Sequence, residues 1–192
     1  LGIDQSDGNT CPETITRTWT YADACGNTST VNQVITIGDD VPPVFDTPPA
    51  DLNFDCFAEV PAPGMLGWTD NCDGSGQVLG TDQSDGNTCP ETITRTWTYT
   101  DACGNTASVN QVITIGDDVP PVFDTPPADL DFDCFAEVPA PGMLGWTDNC
   151  DGSGQVLGTD QSDGNTCPET ITRTWTYTDA CGNSSSVNQI IT

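Results

Sequence analysis

Polar and apolar residues alternate along Thr92-Ile93-Thr94-Arg95-Thr96-Trp97-Thr98-Tyr99-Thr100. Ile93, Trp97 and Tyr99 share one face with Arg95, and threonines line the other. A period of two, built from β-branched and aromatic residues, predicts a half-buried strand. Asp101-Ala102-Cys103-Gly104-Asn105 follows as a turn and Ala107 to Ile115 as a returning strand, so the pair predicts a hairpin. Upstream, Val44-Phe45 and Leu52-Asn53-Phe54 predict an opening strand in two pieces, and Met65 to Thr69 another strand. Gln77 to Thr81 is a further, less regular candidate. No stretch has helical periodicity. About seven short strands between regular turn signals predict an all-β, immunoglobulin-like β-sandwich.

The pattern recurs every 78 residues with few changes: Asp4-Gln5-Ser6-Asp7-Gly8-Asn9-Thr10-Cys11-Pro12 returns at Asp82 to Pro90 and at Asp160 to Pro168. A fixed long period marks a tandem array. The divisions it predicts are residues 1–38 as the C-terminal half of a repeat, 39–116 as a complete repeat, and 117–192 as a nearly complete one. Half a repeat cannot bury a core alone. The expectation is therefore a window of a longer chain, with residues 1–38 completed by neighbouring sequence or another subunit.

Charge narrows the partners. The chain has 29 acidic residues, three arginines, no lysine and no histidine, for a net charge of −26. Nucleic-acid binding needs basic groups to displace counterions, and an anionic membrane repels such a chain, so both are excluded as partners. Tryptophans, β-branched runs and cysteines argue against disorder.

Ten cysteines in small units predict an oxidising, extracytoplasmic setting. None has Cys-x-x-Cys spacing, which disfavours structural zinc. Cys89 and Cys103 flank one long strand and would lie tens of ångströms apart at about 3.3 Å per residue, which disfavours a bond between them unless that strand is bent. In an immunoglobulin-like sandwich the turn after the second strand and the last hairpin turn share one end. That favours Cys72–Cys103 and Cys56–Cys89, with Cys150–Cys181 and Cys134–Cys167 in the next repeat. Cys11 and Cys25 are then expected to find partners elsewhere.

Calcium, which takes six to eight oxygen ligands, is the cofactor the acidic turns suggest. Around one repeat boundary the candidates are Asp39, Asp40, Asp70, Asp73, Asp101 and Asn105. Around the next they are Asp117, Asp118, Asp148, Asp151, Asp179 and Asn183. The Asp-x-x-Asp-Gly-Asn stretch (Asp82, Asp85, Asn87) lacks a full calcium-loop spacing and reads as a turn. Arg95 is expected to lay its stem on a ring and pair with an Asp. Trp68 and Trp97 are expected in the core. Without histidine or lysine the common nucleophile–base pairs are missing, so no enzyme is expected.

Thr94-Arg95-Thr96-Trp97-Thr98-Tyr99-Thr100-Asp101-Ala102-Cys103-Gly104-Asn105, Trp68-Thr69-Asp70-Asn71-Cys72-Asp73 and Gly38-Asp39-Asp40-Val41-Pro42-Pro43-Val44-Phe45 together resemble the HYR-like repeats of giant cell-surface adhesins of Bacteroidota. The resemblance covers the whole chain. It implies an Ig-like fold, type IX secretion, and display on the bacterial surface as long filaments for adhesion, gliding or prey capture. The expected partners are neighbouring repeats of the same chain, a homo-oligomeric filament, and a cell or substrate surface. The function expected is a mechanical shaft; the alternative is repeats that themselves bind a glycan or protein and gain avidity from number.

Overall fold

A computed structural model describes residues 1–192. In chain order the strands are β1 (Ile3–Ser6), β2 (Glu13–Ala22), β3 (Thr28–Ile37), β4 (Val44–Phe45), β5 (Leu52–Phe54), β6 (Met65–Asp70), β7 (Gly74–Leu79), β8 (Thr81–Ser84), β9 (Glu91–Thr100) and β10 (Thr106–Ile115). They continue as β11 (Val122–Phe123), β12 (Met143–Asp148), β13 (Gly152–Leu157), β14 (Thr159–Ser162), β15 (Ile171–Thr178) and β16 (Ser184–Ile191). Single 3-10 turns cover Phe57–Glu59 and Phe135–Glu137. The sheets run β1-β2-β3, β4-β6-β7, β5-β10-β9-β8, β11-β12-β13 and β14-β15-β16. This is the all-β, tandem Ig-like architecture that the alternation predicts.

Contacts gather the chain into two compact units. The first comprises Leu1–Ala50, Ala62–Gln83 and Thr94–Gln111; the second comprises Asp51–Pro61, Ser84–Ile93 and Val112–Thr192. Each unit therefore draws on two successive copies of the repeat.

In the first unit, Trp97 is 2% exposed and its indole N–H donates to the Gly64 carbonyl at 2.9 Å. A Cβ on Gly80 would meet this ring at 3.0 Å, so glycine is needed where the chain crosses it. This explains a difference from the sequence reading: Gln77 to Thr81 is not one strand but the end of β7 and the start of β8, parted at Gly80. Trp68 is buried and stacks on Tyr99 with ring centroids 3.6 Å apart. In the β1–β3 sheet, by contrast, Trp19 is 39% exposed, and Ile3, Val31, Val34 and Ile37 are exposed with it. Arg95 is buried and bidentate to Asp82, at 2.7 and 2.8 Å, which is the aspartate pairing expected of it.

The second unit repeats these contacts with Trp175 on Gly142, Trp146 on Tyr177, and Arg173 on Asp160 and the Pro139 carbonyl. Ile93, Ile113 and Ile115 form a core closed by Leu52, Phe54 and Val60. Short β5 pairs in parallel with the end of β10, Leu52 opposite Ile113. Leu130 repeats that pairing opposite Ile191. Near Cys134 and Cys167 lies a cavity of about 400 Å³ lined by Phe132, Val138, Ile171 and Ile191. These are the counterparts of the four residues around Ile115, so its apolar walls belong to the repeat's own core.

Candidate functional site

Two features concentrate chemistry: the first occurs twice and the second three times. The first is a trio of carboxylates. In the first unit Asp39, Asp70 and Asp101 bring ligand oxygens within 4.8 Å of one another; in the second unit Asp117, Asp148 and Asp179 do the same. Each aspartate begins or ends a turn and accepts hydrogen bonds that hold it. Asp70 Oδ1 accepts from the amides of Cys72 and Asp73, both at 2.8 Å. Asp101 Oδ1 accepts from the amides of Cys103 (2.9 Å) and Asn105 (2.8 Å), while its Oδ2 takes the Asn105 side chain at 2.8 Å. Asp39 Oδ1 accepts from the Val41 amide and the Asn71 side chain at 3.0 and 3.1 Å. Asn105 also donates to the Asp39 carbonyl at 3.0 Å, tying the repeat boundary to the hairpin turn.

What is left over is informative. Asp39 Oδ2, Asp70 Oδ2 and Asp148 Oδ2 are buried and have no hydrogen-bond partner. An orphaned buried carboxylate oxygen normally costs free energy. The three arginines are committed elsewhere, since Arg17, Arg95 and Arg173 pair with Asp4, Asp82 and Asp160. Hydrogen bonds from the Val41 amide and then from Asn71 hold the Asp39 carboxyl below its ordinary pKa. For Asp179 burial works upwards, but hydrogen bonds from Asn183 and the Cys181 and Gly182 amides outweigh it and leave the pKa lowered.

Of the expected calcium ligands, Asp40 and Asp118 lie outside the trios and are exposed. Asp73 and Asp151 turn to the hairpin instead: Asp73 Oδ2 accepts from Tyr99 Oη and the Ala102 amide, both at 3.0 Å, and Asp151 does the same with Tyr177 and Ala180. Asn105 and Asn183 spend their amides on Asp101 and Asp179. Asp85 caps its own turn through Asn87, as ordinary turn chemistry requires.

The second feature is covalent and corrects the expected pairing. Cys11 bonds Cys103, Cys56 bonds Cys150 and Cys89 bonds Cys181, with Cα separations of 4.9, 5.2 and 5.0 Å. None of the expected bonds Cys72–Cys103, Cys56–Cys89, Cys150–Cys181 and Cys134–Cys167 is present. Cys25, Cys72, Cys134 and Cys167 are free and exposed. Cys11, expected to have its partner elsewhere, has it in this chain.

The reason is geometric. A strand such as β9 holds its two flanking cysteines at opposite ends, as the sequence argument held. That limit applies only within one repeat. The Cys89 type does bond the Cys103 type, but in the next copy, 92 residues on rather than 14. Near-identical copies give the two choices the same local sequence, so composition and spacing carry no signal between them. Strand length forbids the near partner but does not by itself choose the far one.

Fold and site together define a class: tandem β-sandwich repeats bonded copy to copy, with acidic turns at each boundary. The chain belongs to the family described as HYR-like domain with 4 cysteines, which it matches over residues 1–37, 44–115 and 122–192. No curated protein and no solved structure matches it. Repeated, disulfide-rich HYR-like domains of this kind are typical of extracellular, adhesion-type repeat proteins.

Proposed function

We propose that this chain is a non-catalytic structural shaft within a long secreted bacterial adhesin or filament, of the kind Bacteroidota export by type IX secretion for attachment, gliding or prey capture. The observation that carries the reading is that every disulfide joins one copy of the repeat to the next and none closes a single copy. A module built only to present a binding surface needs no such tie, whereas a shaft must transmit force from copy to copy. The absence of lysine and histidine adds to the case against catalysis.

Calcium fits the same reading as a joint ion. Asp39, Asp70 and Asp101 would hold one ion, and Asp117, Asp148 and Asp179 another. The fit rests on the orphaned oxygens and on a donor set made only of hard oxygen atoms. Bound calcium would neutralise three carboxylates drawn from separate turns of one boundary.

A glycan array probed with the 192-residue chain tests the shaft against its rival. Absence of saturable binding is expected; saturable binding to a defined glycan would replace the shaft with an adhesive module. Thermal melting in calcium and in chelator tests the ion separately, with a higher midpoint expected in calcium and coincident curves counting against it.

A further inference from the structure

The bonded cysteines and the strands between them trace a continuous covalent route. Cys25 and Cys11 are the ends of the segment holding β2; Cys11 bonds Cys103. Cys103 and Cys89 are the ends of the segment holding β9; Cys89 bonds Cys181. Cys181 and Cys167 are the ends of the segment holding β15. A second route passes from Cys72 through β6 to Cys56, across the bond to Cys150, and through β12 to Cys134. The four free cysteines are the four ends of these two routes.

We infer that these routes are covalent rails that carry tension through the array and bypass most of the polypeptide. The inference deepens the shaft reading and depends on it for its biological purpose, though not for its mechanics. An ordinary 78-residue domain pulled through its backbone lengthens to about 270 Å when it unfolds. Here residues 12–88 and 104–180 lie off the first rail. Each step along that rail consists of one disulfide and one strand-bearing segment such as 89–103. A β-strand already stands near its limiting length of about 3.3 Å per residue. Unfolding the remainder therefore releases almost no slack, and resistance to extension stops depending on hydrogen bonds and packing.

The rail ends also specify a partner. Cys25 is of the same kind as Cys103 and Cys181, within the same Asp-Ala-Cys-Gly-Asn turn, and Cys167 is of the same kind as Cys11 and Cys89. The chemistry that fits either end is the complementary cysteine of another HYR-like repeat.

Optical-tweezer pulling of the 192-residue chain by its two termini reads the rail directly as contour length after complete unfolding. With disulfides intact, only residues 1–11, 89–103 and 181–192 and two bonds remain in the path, for an expected limit of about 130 Å. After reduction with a phosphine the limit becomes about 670 Å, roughly five-fold longer. Cys103→Ser opens the first rail and leaves the Cys56–Cys150 detour, at about 340 Å, while Cys25→Ser leaves the limit unchanged. An oxidised limit near 440 Å, the value for pairing within repeats, or one equal to that of the reduced chain, would overturn the rail. Either outcome would leave the glycan-array test of the shaft standing separately.

Discussion

Asp70 shows how much one side chain decides. Its Oδ1 holds the β6–β7 turn, its Oδ2 is buried without a partner, and its carboxylate belongs to the trio with Asp39 and Asp101. Asp70→Asn keeps the turn acceptor and removes a charge. In chelator the variant is expected to melt a few degrees higher than the parent, and in calcium to gain less than the parent does; calorimetry under both conditions checks this. The trios also bear on acid stability. Asp39 and Asp179 have folded pKa values below the ordinary carboxylate range. Their contribution is present above that range and is lost as pH falls through the lowered values. The urea midpoint is accordingly expected to hold steady above about pH 5 and to fall towards pH 3; a midpoint that rises on acidification contradicts it. Cys72 is affected in the opposite sense. Partial desolvation of the thiol in an otherwise exposed residue, a hydrogen bond with Asp39, and the neighbouring Asp39, Asp70 and Asp73 charges raise its pKa. Its alkylation by iodoacetamide at pH 8 should lag behind a free cysteine peptide, and Asp39→Asn should bring the rate up.

Among elements, the three copies of one strand pair form an internal experiment. β1–β2, β8–β9 and β14–β15 each carry an arginine bidentate to an aspartate, but Arg95 and Arg173 are buried whereas Arg17 is partly exposed. Removing Arg95 loses a buried guanidinium and its packed stem, while the Asp82 side chain, 28% exposed, keeps access to water. The cost lies between the about 3–5 kcal/mol of breaking a fully buried pair and the about 0–1 kcal/mol of an exposed one. Arg95→Ala is therefore expected to cost several times more stability than Arg17→Ala, as read by chemical denaturation. At this scale the sequence was most legible. Strict alternation located β9 and β10, Arg95 took the aspartate pairing expected of it, and Trp68 and Trp97 took their expected places in the core. The division of Gln77 to Thr81 at Gly80 was not visible, because it depends on a tryptophan ring supplied by another strand. The trios were half legible. The turn aspartates were recognisable as a set, but only three-dimensional placement separates Asp39, Asp70 and Asp101 from Asp40 and Asp73.

For the whole molecule, the repeat is a unit of sequence more than a self-contained unit of covalent structure. Both compact units combine residues from two successive copies, and each bond closes a loop of more than ninety residues across a boundary. On a chain-entropy account such a loop stabilises by about 4–5 kcal/mol per bond, so reduction should remove much of the stability of both units. Near-identical copies hid this arrangement from the sequence. Denaturing, non-reducing alkylation of the oxidised monomer, followed by reduction and peptide mass spectrometry, tests it most directly. Copy-to-copy bonding gives four labelled thiols, with Cys25 and Cys134 identifiable by their unique flanking residues. Two labelled thiols, with Cys134 protected and a Cys56–Cys89 link recovered, would contradict it.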